Sequence, residues 1–282
     1  MSTTNTVSLT YTLAGEYKIN RLGYGAMQLT GTGVWGDAED RGNALEVLKE
    51  TIKLGVNFID TADSYGPHTN EVLIHDALKD QYDQLVIATK GGLTRTGPNQ
   101  WPVNGDPAYI AQTIEGSLQR LGKEQIQLWQ LHRIDPRFSI EETLAPVAAA
   151  VKAGKIRHVG LSEVSVEEIE RAQQIVPIVS VQNLYNLAQR KWEDLLDYTT
   201  QHNIAFIPWY PLASGPDKLS DKINAIAKAH NATTAQIALA WLLRRSANIL
   251  LIPGTKSIAH LKENMAAASI CLTDEEYDAL SK

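Results

Sequence analysis

The sequence predicts an α/β chain folded as a closed (β/α)8 TIM barrel with an N-terminal β-hairpin, and three observations carry that expectation. Short apolar or β-branched runs alternate with helical periods along the whole chain, the runs number eight, and capping signals mark the helix starts between them. Strands that each lead into a helix, joined by right-handed crossovers, pack as a closed barrel or as an open doubly wound sheet. A count of eight favours closure.

The elements follow in order. VSLTYTLAGEYKIN, with Ala14-Gly15 at its turn, reads as a two-stranded hairpin able to cover the barrel's bottom. LGYG at Leu22 to Gly25 is the first barrel strand. Phe58 to Ile59, Leu85 to Thr89, Ile126 to Leu131, Ile156 to Val159, Ile178 to Val181, Ile204 to Ile207 and Ile249 to Ile252 supply the others. Between them Leu45, Leu48 and Ile52 recur at helical spacing, as do Ile110, Ile114, Leu118 and Leu121. Ser139 with Glu142, Ser165 with Glu168, Thr233 with Gln236 and Thr273 with Glu276 have capping-box spacing, and Asp106-Pro107 suits an N-cap followed by the first helical residue. Gly55, Gly122 and Gly154 stand where helices should stop. No Pro/Ser-rich linker or repeat divides the chain, so residues 1–282 are expected to form one domain. The Gly- and Pro-containing stretch from Leu93 to Pro107 follows a strand end and is expected to be a substrate loop.

Composition narrows the function. An apolar share of 44% and a charged share of 21% allow a sizeable core without disulfides. A net charge of −6, with acids and bases mixed, disfavours nucleic acid or an anionic membrane as partner. Cys271 is the only cysteine, which excludes a disulfide framework and a thiolate metal cluster; no His/Asp/Glu set has metal-ligand spacing either. The polar N-terminus shows no secretory pattern, and the apolar run Ile237 to Leu243 is too short to cross a bilayer. A cytoplasmic protein acting on a small molecule is expected.

In a barrel, side chains at the C-terminal strand ends converge on one mouth. Asp60 and Tyr65 in NFIDTADSYG, Lys90 after LVIAT and His132 after IQLWQL occupy such positions. A tyrosine is a weak acid near neutrality, an adjacent ammonium favours its phenolate, and an aspartate keeps a buried lysine charged. A histidine beside them can hydrogen-bond a substrate oxygen. Such a set can protonate an oxyanion as it forms, as reduction of an aldehyde or ketone requires.

These residues sit in a series of motifs that resembles the aldo-keto reductase family over nearly the whole chain: RLGYGAMQLTG, GVNFIDTADSYGPHTNEVL, VIATKGG, LWQLHRIDP, GKIRHVGLSEVS, VQNLYN, IPWYPLASG, TAQIALAWLL and IPGTKSIAHLKEN. The resemblance implies a (β/α)8 barrel, NADPH/NADP as cofactor, and a tetrad of Asp60, Tyr65, Lys90 and His132 in which Tyr65 is the general acid. It further implies that Ser162, Glu163 and Gln182 meet the carboxamide and that Trp209 stacks on the nicotinamide. Pro211, Leu212, Ser214 and Gly215 then border the pyrophosphate. Gly254 belongs to the segment that grips the adenosine end, where Thr255, Lys256 and Ser257, with His260 in the place of the frequent arginine, are the candidates for the 2′-phosphate, and Glu263 and Asn264 for adenine. The motifs RLGYGAMQLTG and SEVSVEEIERA resemble the branch containing bacterial pyridoxal reductases, which makes an aromatic aldehyde the leading substrate.

Three positions depart from the common family pattern. Glu163 stands where asparagine is frequent, His260 replaces a frequent arginine and its bidentate fork, with Lys262 nearby in sequence as a compensating cation, and Gln127 replaces an aspartate. GTGVWG at Gly31 to Gly36 matches a dinucleotide fingerprint literally, but no long strand leads into it, so it reads as a loop carrying Trp35. Trp35 and Trp101 are expected to line the substrate pocket, and Trp129, Trp192 and Trp241 the core. His75, His158, His202 and His230 read as surface or helix-terminal residues and Cys271 as a packing residue. Two rival functions remain: a cofactor-binding regulatory barrel with little turnover, and a lyase using Lys90 as a Schiff base.

Overall fold

The computed structural model describes residues 7–212 and 217–282, the latter without the side chains of 217–220. It opens with an antiparallel hairpin, β1 (Thr10–Leu13) and β2 (Tyr17–Asn20), whose turn places Ala14 and Gly15 at left-handed φ values of 52° and 71°. Seven parallel strands follow, with spatial order equal to chain order: β3 (Tyr24–Gly25), β4 (Phe58–Asp60), β5 (Val86–Gly91), β6 (Ile126–Leu131), β7 (Ile156–Ser162), β8 (Ile178–Gln182) and β9 (Ala205–Phe206). The eighth predicted run is not a continuous strand. Ile249 bridges Phe206 on one side and Leu251 bridges Leu22 on the other, both in parallel, so isolated contacts complete the ring. Pro253, which has no N–H to donate, ends the pairing there. Closure brings backbones so near that a Cβ on Gly25 would lie 2.7 Å from the Ile252 carbonyl oxygen, and one on Gly254 2.7 Å from that of Gly25.

The helices return outside the ring: α1 (Arg41–Lys53), α2 (Thr69–Leu78), α3 (Pro107–Leu121), α4 (Ile140–Lys152), α5 (Val166–Gln173), α6 (Glu193–Gln201), α7 (Asp217–Ala229), α8 (Thr234–Arg245), α9 (Ile258–Ala266) and α10 (Asp274–Ser281). All four expected capping boxes form, at the starts of α4, α5, α8 and α10, and Asp106 caps α3 ahead of Pro107. Gly55, Gly122 and Gly154 turn the chain out of helices at positive φ. In α3 the expected stripe is the buried one. In α1 the buried stripe is Ala44, Val47, Leu48 and Thr51, whereas Leu45 and Ile52 are half-buried, because packing against α2 selects one edge of a broad apolar face.

Alternation along the strands fixes what the barrel holds. Phe58, Val86, Ala88, Leu128, Ala205, Ile207, Leu250 and Ile252 point inward and pack with Leu13 and Ile19 of the hairpin, which fills the ring from below. The intervening residues, among them Trp129, Leu131, Val159 and Leu161, pack with helix residues such as Ile114, Leu144 and Ile169. Moving up each strand at the same parity, the inward positions turn polar at Asp60, Lys90, Gln130 and His132. Two expectations are corrected. His158 is a strand residue of β7, with Nε2 3.0 Å from Glu16 and its ring edge-on to Tyr17, because the hairpin folds over that end of the strand. Cys271 is exposed, since the segment before α10 runs over the surface. Trp129 and Trp241 are fully buried and Trp192 packs against the core, as read. No helix among the described residues is long and apolar enough to cross a membrane.

Arg21 links the hairpin to the ring's closure. Fully buried, it donates to the carbonyls of Ser8 (2.7 Å), Ile249 (2.9 Å), Leu243 (2.8 Å) and Ser246, and burial pushes its pKa down to about 10. Loss of a charged donor strands several buried acceptors, each costing about 1–3 kcal/mol. Arg21→Met is therefore expected to lower the unfolding free energy by about 3 kcal/mol or more, read from urea denaturation; a change below about 1 kcal/mol would deny Arg21 this role.

Candidate active site

The C-terminal strand ends gather the predicted polar groups into one buried network. Lys90 Nζ lies 2.5 Å from Asp60 Oδ1, 2.8 Å from the Thr61 carbonyl oxygen and 3.4 Å from Tyr65 Oη, so its three donors are all directed at oxygen. Lys90, Asp60, Tyr65 and His132 are all buried. The second oxygen of Asp60 accepts from Gln182 Nε2 at 2.9 Å and from Gln130 Nε2 at 3.3 Å, and Gln130 Oε1 in turn accepts from Ser180 Oγ at 3.3 Å. A Cβ at position 160 would lie 2.1 Å from Ser180 Oγ, so Gly160 makes room for this chain. His132 sets its ring edge-on to Tyr65 at 5.9 Å, with Nδ1 3.5 Å from Ser64 Oγ.

Electrostatics give each group a definite state. Burial alone would push Lys90 towards neutrality, but Asp60 and Tyr65 more than reverse this, and the ammonium persists above the ordinary lysine range. Burial raises the Tyr65 phenol; Lys90 pulls it down, and burial prevails. The expectation that the ammonium acidifies Tyr65 thus holds for the sign of that one contribution and not for the sum. Burial, then the charges of Lys90 and Arg133, hold His132 well below the ordinary imidazole range. The site therefore presents a protonated phenol, a permanent cation touching it and a neutral imidazole. A charged Lys90 with every donor engaged is a poor Schiff-base nucleophile.

Beside this network stands an aromatic platform. Trp209, bridged to Leu184, donates from Nε1 to Glu163 Oε1 at 2.7 Å, and the same oxygen accepts from Leu184 N at 2.5 Å. Glu163, at φ 55°, therefore fixes the indole plane. Ser162 Oγ donates to the Gln182 carbonyl oxygen at 2.8 Å and accepts from Arg133 Nη1 at 2.8 Å. Arg133 also lies 5.8 Å from the Trp209 ring. Pro211 is buried and Leu212 half-buried, whereas Ser214 and Gly215 lie outside the described residues. Across the mouth, the Thr255 carbonyl oxygen accepts from Tyr24 Oη at 2.6 Å, and Ser257 caps α9, its Oγ accepting from His260 N at 3.3 Å. Gly254 begins this segment and buried Asn264 lies in α9, while Glu263 Oε1 is already engaged by Thr233 Oγ1 at 2.7 Å. The exposed Lys256 pairs with Glu39 at 3.1 Å, and Lys262 pairs with Glu50 at 3.1 Å. A cavity of about 220 Å³ adjoins Glu39, Asn43 and Lys256.

The profile of the Aldo/keto reductase family matches residues 21–282. The chain belongs to the aldo-keto reductase family. It is 50% identical to an oxidoreductase of Schizosaccharomyces pombe over 95% of this chain and 88% of that one. It is 41% identical to the pyridoxine 4-dehydrogenase of Escherichia coli over 97% of each chain. An aldo-keto reductase of Klebsiella pneumoniae crystallised with NADPH superposes with a TM-score of 0.82 at 30% identity, over 97% of this chain and 94% of that one.

Trp35 and Trp101 also come to the mouth: Trp101 stands edge-on to Tyr65 at 6.2 Å, and Trp35 pairs with Gly66 in the loop carrying Tyr65. Sequence reasoning missed Gln130, Ser180, Ser64, Arg95, Arg133 and Glu39. Parity could have found the first two, because Gln130 shares its phase with His132, and Ser180 with Gln182. The others act through loop geometry.

One buried acid stands apart. Asp63 lies after β4 in the loop that carries Tyr65, its two carboxyl oxygens lack hydrogen-bond partners among the described residues, and burial, then the nearby charge of Glu71, pushes its pKa well up. An acid whose pKa is higher folded than unfolded stabilises the fold below its unfolded value of about 3.9 and loses that stabilisation as pH rises towards the folded value. Asp63→Asn cannot titrate. Its Tm relative to the wild type should therefore climb between about pH 4 and 7, measured by calorimetry of the two proteins side by side; a constant difference would show Asp63 to be ionised in both states over that range.

Proposed function

We propose that this chain catalyses NADPH-dependent reduction of a small aldehyde or ketone to the alcohol, with Tyr65 as proton donor and pyridoxal or another aromatic aldehyde as the preferred substrate class. The observation that carries the reading is the contact of a charged, fully engaged Lys90 with a protonated Tyr65 beside a neutral His132. NADPH/NADP fits the residues present: Trp209 offers a fixed ring face, Gln182 keeps its Oε1 and one amide N–H beyond the bond to Asp60, Ser162 Oγ would exchange a present partner for the carboxamide, and the capped N-terminus of α9 with Lys256 offers a place for a phosphate. When bound, the cofactor supplies a hydride.

The chain's own groups supply the rest. His132, neutral, orients the carbonyl oxygen towards Tyr65. Tyr65 Oη gives its proton to that oxygen as negative charge develops, and Lys90, 3.4 Å away, stabilises the phenolate left behind. Asp60 keeps Lys90 charged through both states. Glu163, rather than meeting the carboxamide with Oε1, holds Trp209 in plane with it. The pyridoxine 4-dehydrogenase relative and the aromatic groups around Tyr65 support a ring-bearing substrate.

Tyr65→Phe should retain NADPH binding, followed by nicotinamide fluorescence, and lose about a hundredfold or more in turnover of an aldehyde panel that includes pyridoxal. Turnover within about threefold of the wild type would remove Tyr65 from its role. Glu39→Gln should release Lys256 for the 2′-phosphate and tighten NADPH several-fold, about three- to tenfold, with less effect on NADH and less at high salt. Equal shifts for both cofactors would place Lys256 elsewhere.

A further inference from the structure

Arg95, in the loop between β5 and α3, makes an unusual set of contacts. Its Nε donates to the Gln100 carbonyl oxygen at 2.8 Å, Nη1 to those of Val34 (2.6 Å) and Ser64 (2.9 Å), and Nη2 to those of Gly33 (2.9 Å) and Gly97 (3.3 Å). All five guanidinium N–H directions thus end on backbone carbonyls, and no carboxylate pairs with Arg95 among the described residues. Those carbonyls belong to three different loops: the one carrying Trp35, the one carrying Tyr65, and its own.

The loops are interlocked elsewhere too. Asn99 N donates to the Gly33 carbonyl oxygen at 2.9 Å, and a Cβ on Gly33 would lie 2.6 Å from Pro98 Cβ, so only a glycine lets the two loops touch. The guanidinium carbon lies 3.6 Å from the ring centre of Trp101 and 5.6 Å from that of Trp35. At 3.6 Å the cation covers one face of the Trp101 indole, leaving its other face and rim for contact. Tyr65 stands perpendicular to the same indole, with ring centres 6.2 Å apart.

We propose that Arg95 is a positioning residue that pins Trp101 and Trp35 around Tyr65 and thereby gives the site its preference for flat aromatic aldehydes over small aliphatic ones. Two mobile tryptophans would lose side-chain and loop entropy on clasping a ring; loops already tied by five hydrogen bonds have lost it before the substrate arrives. A small aliphatic aldehyde touches little of that wall and gains little from it. Lysine cannot substitute fully, because three donors on one nitrogen do not reach carbonyls spread over three loops. This inference rests on the reductase reading above.

The test compares wild type, Arg95→Lys and Arg95→Met with 4-nitrobenzaldehyde and with propanal, alongside NADPH titration and acrylamide quenching of tryptophan fluorescence. For Arg95→Met the aromatic-to-propanal ratio of kcat/KM should fall about tenfold, through KM for the aromatic substrate, with Arg95→Lys in between. NADPH affinity should stay within about twofold, and quenching should rise as the indoles loosen. A ratio unchanged in both variants, or equal kcat losses on both substrates, would overturn the proposal and leave Arg95 a general brace. If the wild type oxidises NADPH with no aldehyde, the reductase reading fails by itself. Arg95 is then judged by whether 4-nitrobenzaldehyde quenches tryptophan at lower concentration in wild type than in Arg95→Met: weaker quenching in the variant supports the clasp, and equal quenching sinks it.

Discussion

A lysine ammonium inside a barrel must be matched by charge, and the pair of Lys90 with Asp60 is the contact around which the upper half of this molecule is organised. An ion pair with its side chains nearly excluded from solvent is stable only when the remaining donors and acceptors are also engaged. That requirement explains Thr61 at the third Lys90 donor direction, Gln182 and Gln130 at Asp60, Ser180 at Gln130, and the absence of a side chain at Gly160. The network spans β4, β5, β6 and β8, so four strands must hold their register for Lys90 to meet Asp60 and the Tyr65 hydroxyl.

Below that layer the barrel is apolar and plugged by Leu13 and Ile19, and above it the loops crowd in. The low-dielectric setting works differently on each group. Tyr65 stays protonated because burial outweighs the cation beside it, Lys90 stays charged because its partners outweigh burial, and His132 becomes neutral because burial and neighbouring cations act together. On the proposed reading, a buried phenol that keeps its proton beside a cation able to stabilise its phenolate suits proton delivery to a developing oxyanion. The same enclosure leaves the Asp63 carboxyl without a hydrogen-bond partner among the described residues, while its backbone N–H donates to the Lys90 carbonyl oxygen.

The three sides of the mouth are built on different principles. Towards Trp209 the constraint is a single carboxylate oxygen of Glu163 shared by an indole N–H and a backbone N–H, a compact fixture on strand ends. Towards Trp101 the constraint is Arg95 reaching into loops, where position depends on segments far apart in sequence. Towards α9 the cations Lys256 and Lys262 are held by acidic side chains, Glu39 just before α1 and Glu50 within it.

Features that depend on local chemistry and period could be read from the chain alone. Capping boxes, helix-ending glycines and alternating inward residues are short-range consequences of backbone geometry, so the barrel, its hairpin and the positions of Asp60, Lys90 and His132 at strand ends were all legible. Tertiary structure alone decided matters that require summing over distant neighbours. It settled which edge of α1 is buried, that the last stave closes by isolated bridges, that burial outweighs the ammonium at Tyr65, and that Glu163 serves Trp209. The reason is physical: hydrogen bonds within a helix turn or strand phase are set by spacing along the chain, whereas desolvation and loop contacts are set by what folding brings from elsewhere.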